Sequence, residues 1–215
     1  FSGAVAANIF YAALLFLFVW QVSKNIDDDV ARLQTPLVKQ EMTARNWWAD
    51  GWETLPPERI VLGSAAARRF NFQVAASLES LEEMLTGHGW ETVESADWRW
   101  LIRALNPDPD ISSLPLVPRS FDGRSEDLLL RQNLPGDGRL RAIRFWDSGI
   151  RLTPDNTVVY LVLVSEEQLV QRFRFFSYWR TVPLTENEVP PADQLFPGLD
   201  ATRTGTDLML LREKP

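Results

Sequence analysis

The 215-residue chain has no cysteine and only one histidine, His88. The first absence excludes a disulfide framework, a thiolate metal site and a cysteine nucleophile. The second excludes a multi-histidine metal centre. Positive charge is in deficit, with 22 Lys+Arg against 29 Asp+Glu and a net charge of −7. That balance argues against a nucleic-acid partner, since such partners are held largely by phosphate neutralisation. There is no internal repeat and no low-complexity tract, and no charged residue occurs from Phe1 to Ser23.

That uncharged opening is the most informative segment. Ala4 to Val22 is almost wholly apolar and free of proline, with Ala4, Phe10, Leu14, Phe18 and Val22 spaced along it. As a helix it is about 28 Å long, close to the hydrocarbon thickness of a bilayer. No polar stripe marks it as the buried helix of a soluble domain. A signal peptide fits badly, because a basic leader and a small-residue cleavage site are both missing. A transmembrane helix is therefore expected over 1–25. Trp20 stands at its C-terminal end, where interfacial tryptophan is favoured. Beginning at Phe1, the chain reads as the end of a larger membrane protein, with a connector over 26–40 and a soluble domain over 41–215. Only Lys24 flanks the helix before Asp27, Asp28 and Asp29, so the acidic domain is expected outside the cytoplasm, in the periplasm of a bacterium.

With 45% apolar residues and nine tryptophans, the rest has the material for a packed core. Strands are expected at Glu41–Trp48, Phe70–Ala76, Leu128–Gln132, Leu140–Trp146, Val158–Val164, Val170–Val182 and Asp207–Leu211. Phe70, Phe72, Val74 and Ala76 share one face by period-two alternation. Pro135-Gly136-Asp137-Gly138 marks a hairpin, and Ser165-Glu166-Glu167 a turn or its neighbourhood. Val158–Val164 is apolar on both faces, as a central strand would be. Ser77 caps a helix over Leu78–Thr86 that Gly87 closes. A second helix, capped by Ser95, carries Trp98, Leu101, Ile102 and Leu105 on one stripe. Glu186–Pro191 and Phe196–Thr206 read as loop. Two helices among six or seven strands, without strand–helix alternation, predict an α+β fold with a mixed, mostly antiparallel sheet.

Candidate ligand residues are aromatic or basic. Trp47 and Trp48, adjacent on one expected strand, must face opposite ways, so at least one leaves the core; Trp52 joins them as a surface candidate. Arg139 and Arg141 share a strand face while Arg144 points the other way. Arg172, Arg174 and Arg180 share a face of another expected strand. Guanidinium groups beside a membrane suit lipid phosphates; the alternative is cross-strand pairing with Asp and Glu. His88, between two glycines after a helix, reads as a C-terminal cap rather than a general base. Asp108-Pro109-Asp110 and the Asp27–Asp29 run lack the ligand spacing of a calcium loop. No metal, cofactor or catalytic set is expected.

Trp48-x3-Trp52-x2-Leu55-Pro56-x2-Arg59, Phe70-Asn71-Phe72-Gln73-Val74-Ala75, Gly89-Trp90, Leu114-Pro115-Leu116-Val117-Pro118, Gly123-Arg124 and Arg144-Phe145-Trp146 follow one another in the chain. This series, over Trp47–Leu163, resembles the LssY C-terminal domain, a bacterial module often found at the end of multipass proteins with DedA-like and type 2 phosphatidic acid phosphatase-like regions. Arg59, Arg119 and Arg124 belong to the resembling segments or adjoin them. The resemblance implies a membrane-tethered accessory or regulatory domain, linked to lipid phosphate hydrolysis or lipid transport, whose partners are the bilayer and the upstream membrane domains. The phosphatase motifs of such parents have no counterpart here; Thr86-Gly87-His88 is the nearest and lacks their Pro-Ser. The alternatives are an extracytoplasmic binding module for a lipid headgroup, glycan or envelope protein, and a hydrolase with an unrecognised site.

Overall fold

A sixteen-residue strand and a fifteen-residue strand form the spine of the domain. In this computed structural model, residues 10–11, 13–14, 16–17, 35–59, 68–93, 114–136, 138–172, 176–205 and 208–214 are described. The chain divides into two units, Phe1–Pro36 and Leu37–Pro215. In the first, the described residues between 10 and 17 are helical and leave Phe10, Tyr11, Leu14, Phe16 and Leu17 exposed. Among the described residues no helix is long and apolar enough to cross a membrane. Ala4, Phe18 and Val22 of the expected span lie outside the described residues, as does most of the connector.

The second unit contains thirteen short and long strands among its described residues. β1 (Gln40–Thr43) leads into helix α1 (Ala44–Ala49) and a 3-10 turn at Gly51–Thr54. β2 (Glu58–Arg59) and β3 (Arg68–Arg69) make a small ribbon, and β4 (Phe72–Ala75) precedes helix α2 (Leu78–Thr86). β5 (Glu91–Thr92), β6 (Ser120–Phe121), β7 (Arg124–Ser125) and β8 (Leu128–Asn133) follow. Then come β9 (Arg139–Thr153), β10 (Thr157–Arg172) and β11 (Phe176–Val182). A short helix, α3 (Ala192–Leu195), and strands β12 (Asp200–Arg203) and β13 (Met209–Arg212) complete the unit.

β10 opens with Val158 to Val164, all β-branched, leucine or tyrosine, the residues that suit a doubly covered strand. It pairs antiparallel with β9 from Thr157↔Leu152 to Gln168↔Arg139. Each strand of this ribbon divides its outer edge between two neighbours. β9 takes β8 along Leu140–Phe145 and, in parallel, β1 along Ile150–Thr153. β10 takes β4 along Val159–Val162 and β11 along Glu166–Arg172. With β13 and β12 beyond β4, and β5 beyond β8, the result is a nine-stranded mixed sheet, mostly antiparallel. The expected α+β class is the observed one. At Leu163–Ser165 the outer edge of β10 has no strand partner among the described residues. Asn71 fills part of that gap: its N–H donates to the Val162 carbonyl (2.9 Å) and its Oδ1 accepts from Val164 N–H (2.7 Å).

Alternation assigns the two faces. Phe72, Val74, Leu130, Phe145 and Val162 form the first, covered by Leu81 and Leu85 of α2 and by Leu195 and Phe196. The second face carries Trp146, Leu161 and Leu210 against Trp47 of α1, and separately Leu140 and Ala142 against Leu114, Leu116 and Trp179. The cap of α2 is as expected, Ser77 Oγ accepting from Ser80 N–H at 3.1 Å. The Pro135–Gly138 hairpin also forms, joining β8 to β9.

Several expectations give way. Glu41–Trp48 is a strand only as far as Thr43, whose Oγ1 accepts from Asn46 N–H and starts a helix; this is ordinary N-cap chemistry. Phe70 does not share a face with Phe72 and Val74; it precedes β4 and packs on Phe121 and Trp146 of the second face. Ser165-Glu166-Glu167 is strand interior, not a turn, because Arg139 and Arg144 across the ribbon neutralise the two carboxylates. Val170–Arg172 therefore belongs to β10, and Arg172 and Arg180 sit on different strands. Asp200–Arg203 is a strand rather than loop, paired with β13. The helix expected after Ser95 lies outside the described residues.

Candidate functional site: an arginine-lined cleft

The unpartnered edge of β10 opens into a cavity of about 860 Å³, a size typical of small-molecule sites. Arg59, Arg68, Arg69, Arg119 and Arg144 line it, with Arg180 and Arg203 completing a set of seven arginines. No Asp or Glu is among the described lining residues. In a chain of net charge −7, so one-sided a lining needs a cause.

The elements that bring these arginines together are distant in sequence. The β2–β3 ribbon sets Arg59 opposite Arg68. Arg59 Nε donates to the Ser120 carbonyl, and its guanidinium carbon lies 6.0 Å from the Trp146 ring centroid. Arg119 Nη2 donates to Thr181 Oγ1 of β11. Its backbone N–H donates to Glu126 Oε2 (2.7 Å), and Trp146 Nε1 donates to its carbonyl (3.4 Å). Arg144 projects from β9 on the second face, between the Trp146 and Ala142 clusters.

Arg144 has a side-chain exposure of 1%. Its Nη1 donates to Glu167 Oε1 (3.0 Å) and to Ser165 Oγ (3.1 Å). Ser165 Oγ in turn donates to the same Glu167 oxygen (3.2 Å). The Nε and Nη2 of Arg144 are buried and have no hydrogen-bond partner among the described residues. Buried donors are almost always satisfied, and leaving one unpaired costs about 1–3 kcal/mol. Burial pushes the Arg59 and Arg119 guanidinium groups below their ordinary values, and the charge of Arg144 lowers both further. Three cations are thus held out of water near one another, which an incoming anion would relieve.

The cavity is two-sided. Arg59, Arg119, Arg144, Ser165 and Trp179 belong to the second face of the sheet. Phe72, Val164, Leu184, Val189 and Met209 belong to the apolar cluster of the first. The one cavity touches side chains of both faces beside the stretch of β10 between β4 and β11.

Of the arginines singled out from sequence, Arg59, Arg119, Arg144 and Arg180 line this cleft. Trp47 is wholly buried, its Nε1 donating to Gln73 Oε1 (3.1 Å). Trp48 is half-buried under Arg212, 4.1 Å from the ring centroid, and the Trp52 carbonyl accepts from Gln73 Nε2. Arg124 Nη2 donates to the Asp147 carbonyl (2.9 Å), away from the cleft. Arg172 is exposed at the end of β10, and Arg174 lies outside the described residues. His88 is exposed with Nδ1 2.7 Å from the Met84 carbonyl, the helix-end position expected. Arg68, Arg69 and Arg203 were missed. The opposite parity of Arg144 was the one sequence signal that set it apart from Arg139 and Arg141.

Among the described residues no group of three or more His, Cys, Asp or Glu could hold a metal ion. The family model described as LssY C-terminus matches residues 58–178, a span that includes Arg59, Arg68, Arg69, Arg119 and Arg144 but not Trp48, Trp52, Leu55 and Pro56 of the first resembling segment. No curated protein and no solved structure matches the chain.

Proposed function

We propose, for a chain that belongs to the LssY C-terminus family, a membrane-tethered accessory domain that binds an anionic ligand in its arginine-lined cleft. One observation carries the reading: a buried arginine with two donor atoms unpartnered among the described residues, beside the buried Arg59 and the half-buried Arg119, in a cavity with no Asp or Glu among its described lining residues. The tether is supported by the uncharged opening and by the exposed Phe10, Tyr11, Leu14, Phe16 and Leu17. The lipid-phosphate setting rests on the company the family keeps, DedA-like and phosphatidic acid phosphatase-like membrane regions. With them come the bacterial inner membrane and the periplasmic side.

A hydrolase reading has one point in its favour, the Ser165 hydroxyl hydrogen-bonded to Glu167. The Glu167 oxygen that would take the proton already accepts from Arg144, so binding suits this geometry better than nucleophilic attack.

Ligand binding stabilises a fold by mass action. The full chain should therefore melt higher in sulfate or phosphate than in chloride at matched ionic strength, and Arg119→Glu should abolish the difference. Equal melting in all three salts would refute the anion site. For the accessory role, deletion from Asp27 onward in the parent protein should change lipid-phosphate hydrolysis or transport; unchanged activity at unchanged protein level would refute it.

A further inference from the structure

The cleft gathers its buried guanidinium groups at one end and its apolar side chains at the other. On the second face it offers Arg59, Arg119 and Arg144. On the first it offers Phe72, Leu184, Val189 and Met209, with the exposed Arg180 and Arg203 beside them. A small inorganic anion would use the first end and leave the second empty. A neutral apolar ligand would do the reverse and leave the Arg144 donors unpaired.

Charge narrows the class. Arg59, Arg68, Arg119 and Arg144 act on one another here, with Glu126 and Glu167 as the carboxylates that act on them. With seven arginines and no Asp or Glu among the described lining residues, the cleft is strongly cationic. A phosphomonoester carries close to two negative charges at neutral pH and presents three acceptor oxygens, and a guanidinium fork binds such oxygens through paired N–H groups. Nε and Nη2 of Arg144, the two unpartnered atoms, are one such edge.

We infer that the cleft takes a phosphomonoester-ended amphiphile, with the phosphate at Arg59, Arg119 and Arg144 and the chain running beside the stretch of β10 between β4 and β11 toward Leu184 and Val189. This rests on the anion-binding reading and extends it from an anion to a chain-bearing one. The shared chemistry is a terminal phosphate, whether free or attached to a chain, and the experiment separates the two.

Isothermal titration of the full chain in phosphatidylcholine nanodiscs would use hexyl phosphate, inorganic phosphate and hexyl glucoside. Hexyl phosphate should bind at least about tenfold more tightly than inorganic phosphate, since several methylenes leave water, and hexyl glucoside should not bind measurably. Arg119→Gln and Arg144→Gln should each weaken both phosphate ligands at least about tenfold. Val189→Asp should weaken hexyl phosphate alone. Should Arg144→Gln fail to fold, Arg59→Gln supplies the same comparison from a less buried position. Equal affinity for the two phosphates overturns the amphiphile while leaving an anion site. Equal affinity for hexyl phosphate and hexyl glucoside overturns the phosphate end. No binding of either phosphate overturns both this inference and the reading beneath it.

Discussion

The β9–β10 ribbon carries two arginine–glutamate pairs, one on each face, and they differ in almost every respect that matters. Arg139 and Glu166 meet in a two-pronged contact, with Nε to Oε1 at 2.8 Å and Nη2 to Oε2 at 2.6 Å. Arg139 is about half exposed, at 53%. Arg144 and Glu167 meet through one nitrogen at 3.0 Å, and each side chain is 1% exposed. The better geometry therefore has one partner, Arg139, in water and the other, Glu166, at 10% exposure, where an ion pair contributes less than a fully buried one. The poorer geometry is buried, where an incomplete pair is costly. A pair optimised for stability would be built the other way round. The unused edge of Arg144 is what a site keeps for a ligand, and Arg144 lines the cavity beside Leu163–Ser165 of β10.

That contrast is best broken at Glu167. Glu167→Leu leaves Arg144 buried without its carboxylate and beside Arg59 and Arg119. A loss of about 3–5 kcal/mol in chemical denaturation is expected. The double variant Arg144→Met with Glu167→Leu should recover most of that loss, because an apolar pair replaces a buried ionic one, while anion binding disappears. A double variant as unstable as the single would show that the pair holds up the fold rather than the site. Ser165→Ala sharpens the same point at smaller scale. It removes one acceptor from Arg144 and one donor to Glu167, for about 1 kcal/mol of stability.

The sequence made the local features legible and hid those that depend on distant partners. The Ser77 cap and the Pro135–Gly138 hairpin are written in a few consecutive residues, and both form. Ser165-Glu166-Glu167 reads as a turn because three polar residues in a row have no local reason to be buried. Their reason is Arg139 and Arg144 on the neighbouring strand, more than twenty residues earlier. Thr43 is a sound N-cap, but the two tryptophans after it suit a strand as well as a helix. The parity of Arg144 was readable, but its company was not. Arg59, Arg119 and Thr181 converge on it only because β2, the loop before β6, and β11 meet at a break in the sheet, and no residue spacing encodes that meeting.

A third charged group on β9 extends the comparison to acid and base. Burial raises the Asp147 carboxyl, but hydrogen bonds from Arg151 and from Gly149 N–H outweigh it, so the net position is below the ordinary value. This group stabilises the fold above the ordinary carboxylate range, and the benefit is lost as pH falls through its depressed folded value. Asp127 runs the opposite way. Burial raises it, and the neighbouring charge of Asp147 raises it further. It binds its proton more tightly folded than unfolded, so stability falls as pH rises from the ordinary range through the raised value. Asp127→Asn keeps an oxygen for the Asp147 N–H, which now donates at 2.7 Å. The variant should melt slightly higher than the parent at pH 7, and the gap should close below the ordinary carboxylate range. A gap independent of pH would mean that the amide acts through packing rather than charge.

The smallest effect is expected where the hydrogen bonding is most complete. Arg139 sits at the start of β9, and the contact holds the Glu166 carboxyl below its usual range, with the guanidinium hydrogen bond as the leading cause. Water competes for the half-exposed Arg139 there, and salt screens part of what remains. Arg139→Ala should therefore shift the melting temperature far less than Glu167→Leu, and the shift should shrink further in 0.5 M sodium chloride (about a 4 Å screening length). Affinity for phosphate should be unchanged, since Arg139 does not line the cleft. If Arg139→Ala weakened phosphate binding as much as Arg119→Gln does, the cleft would not be a local site. The ligand would then be responding to the general basicity of the ribbon, and the distinction between its two faces would fail.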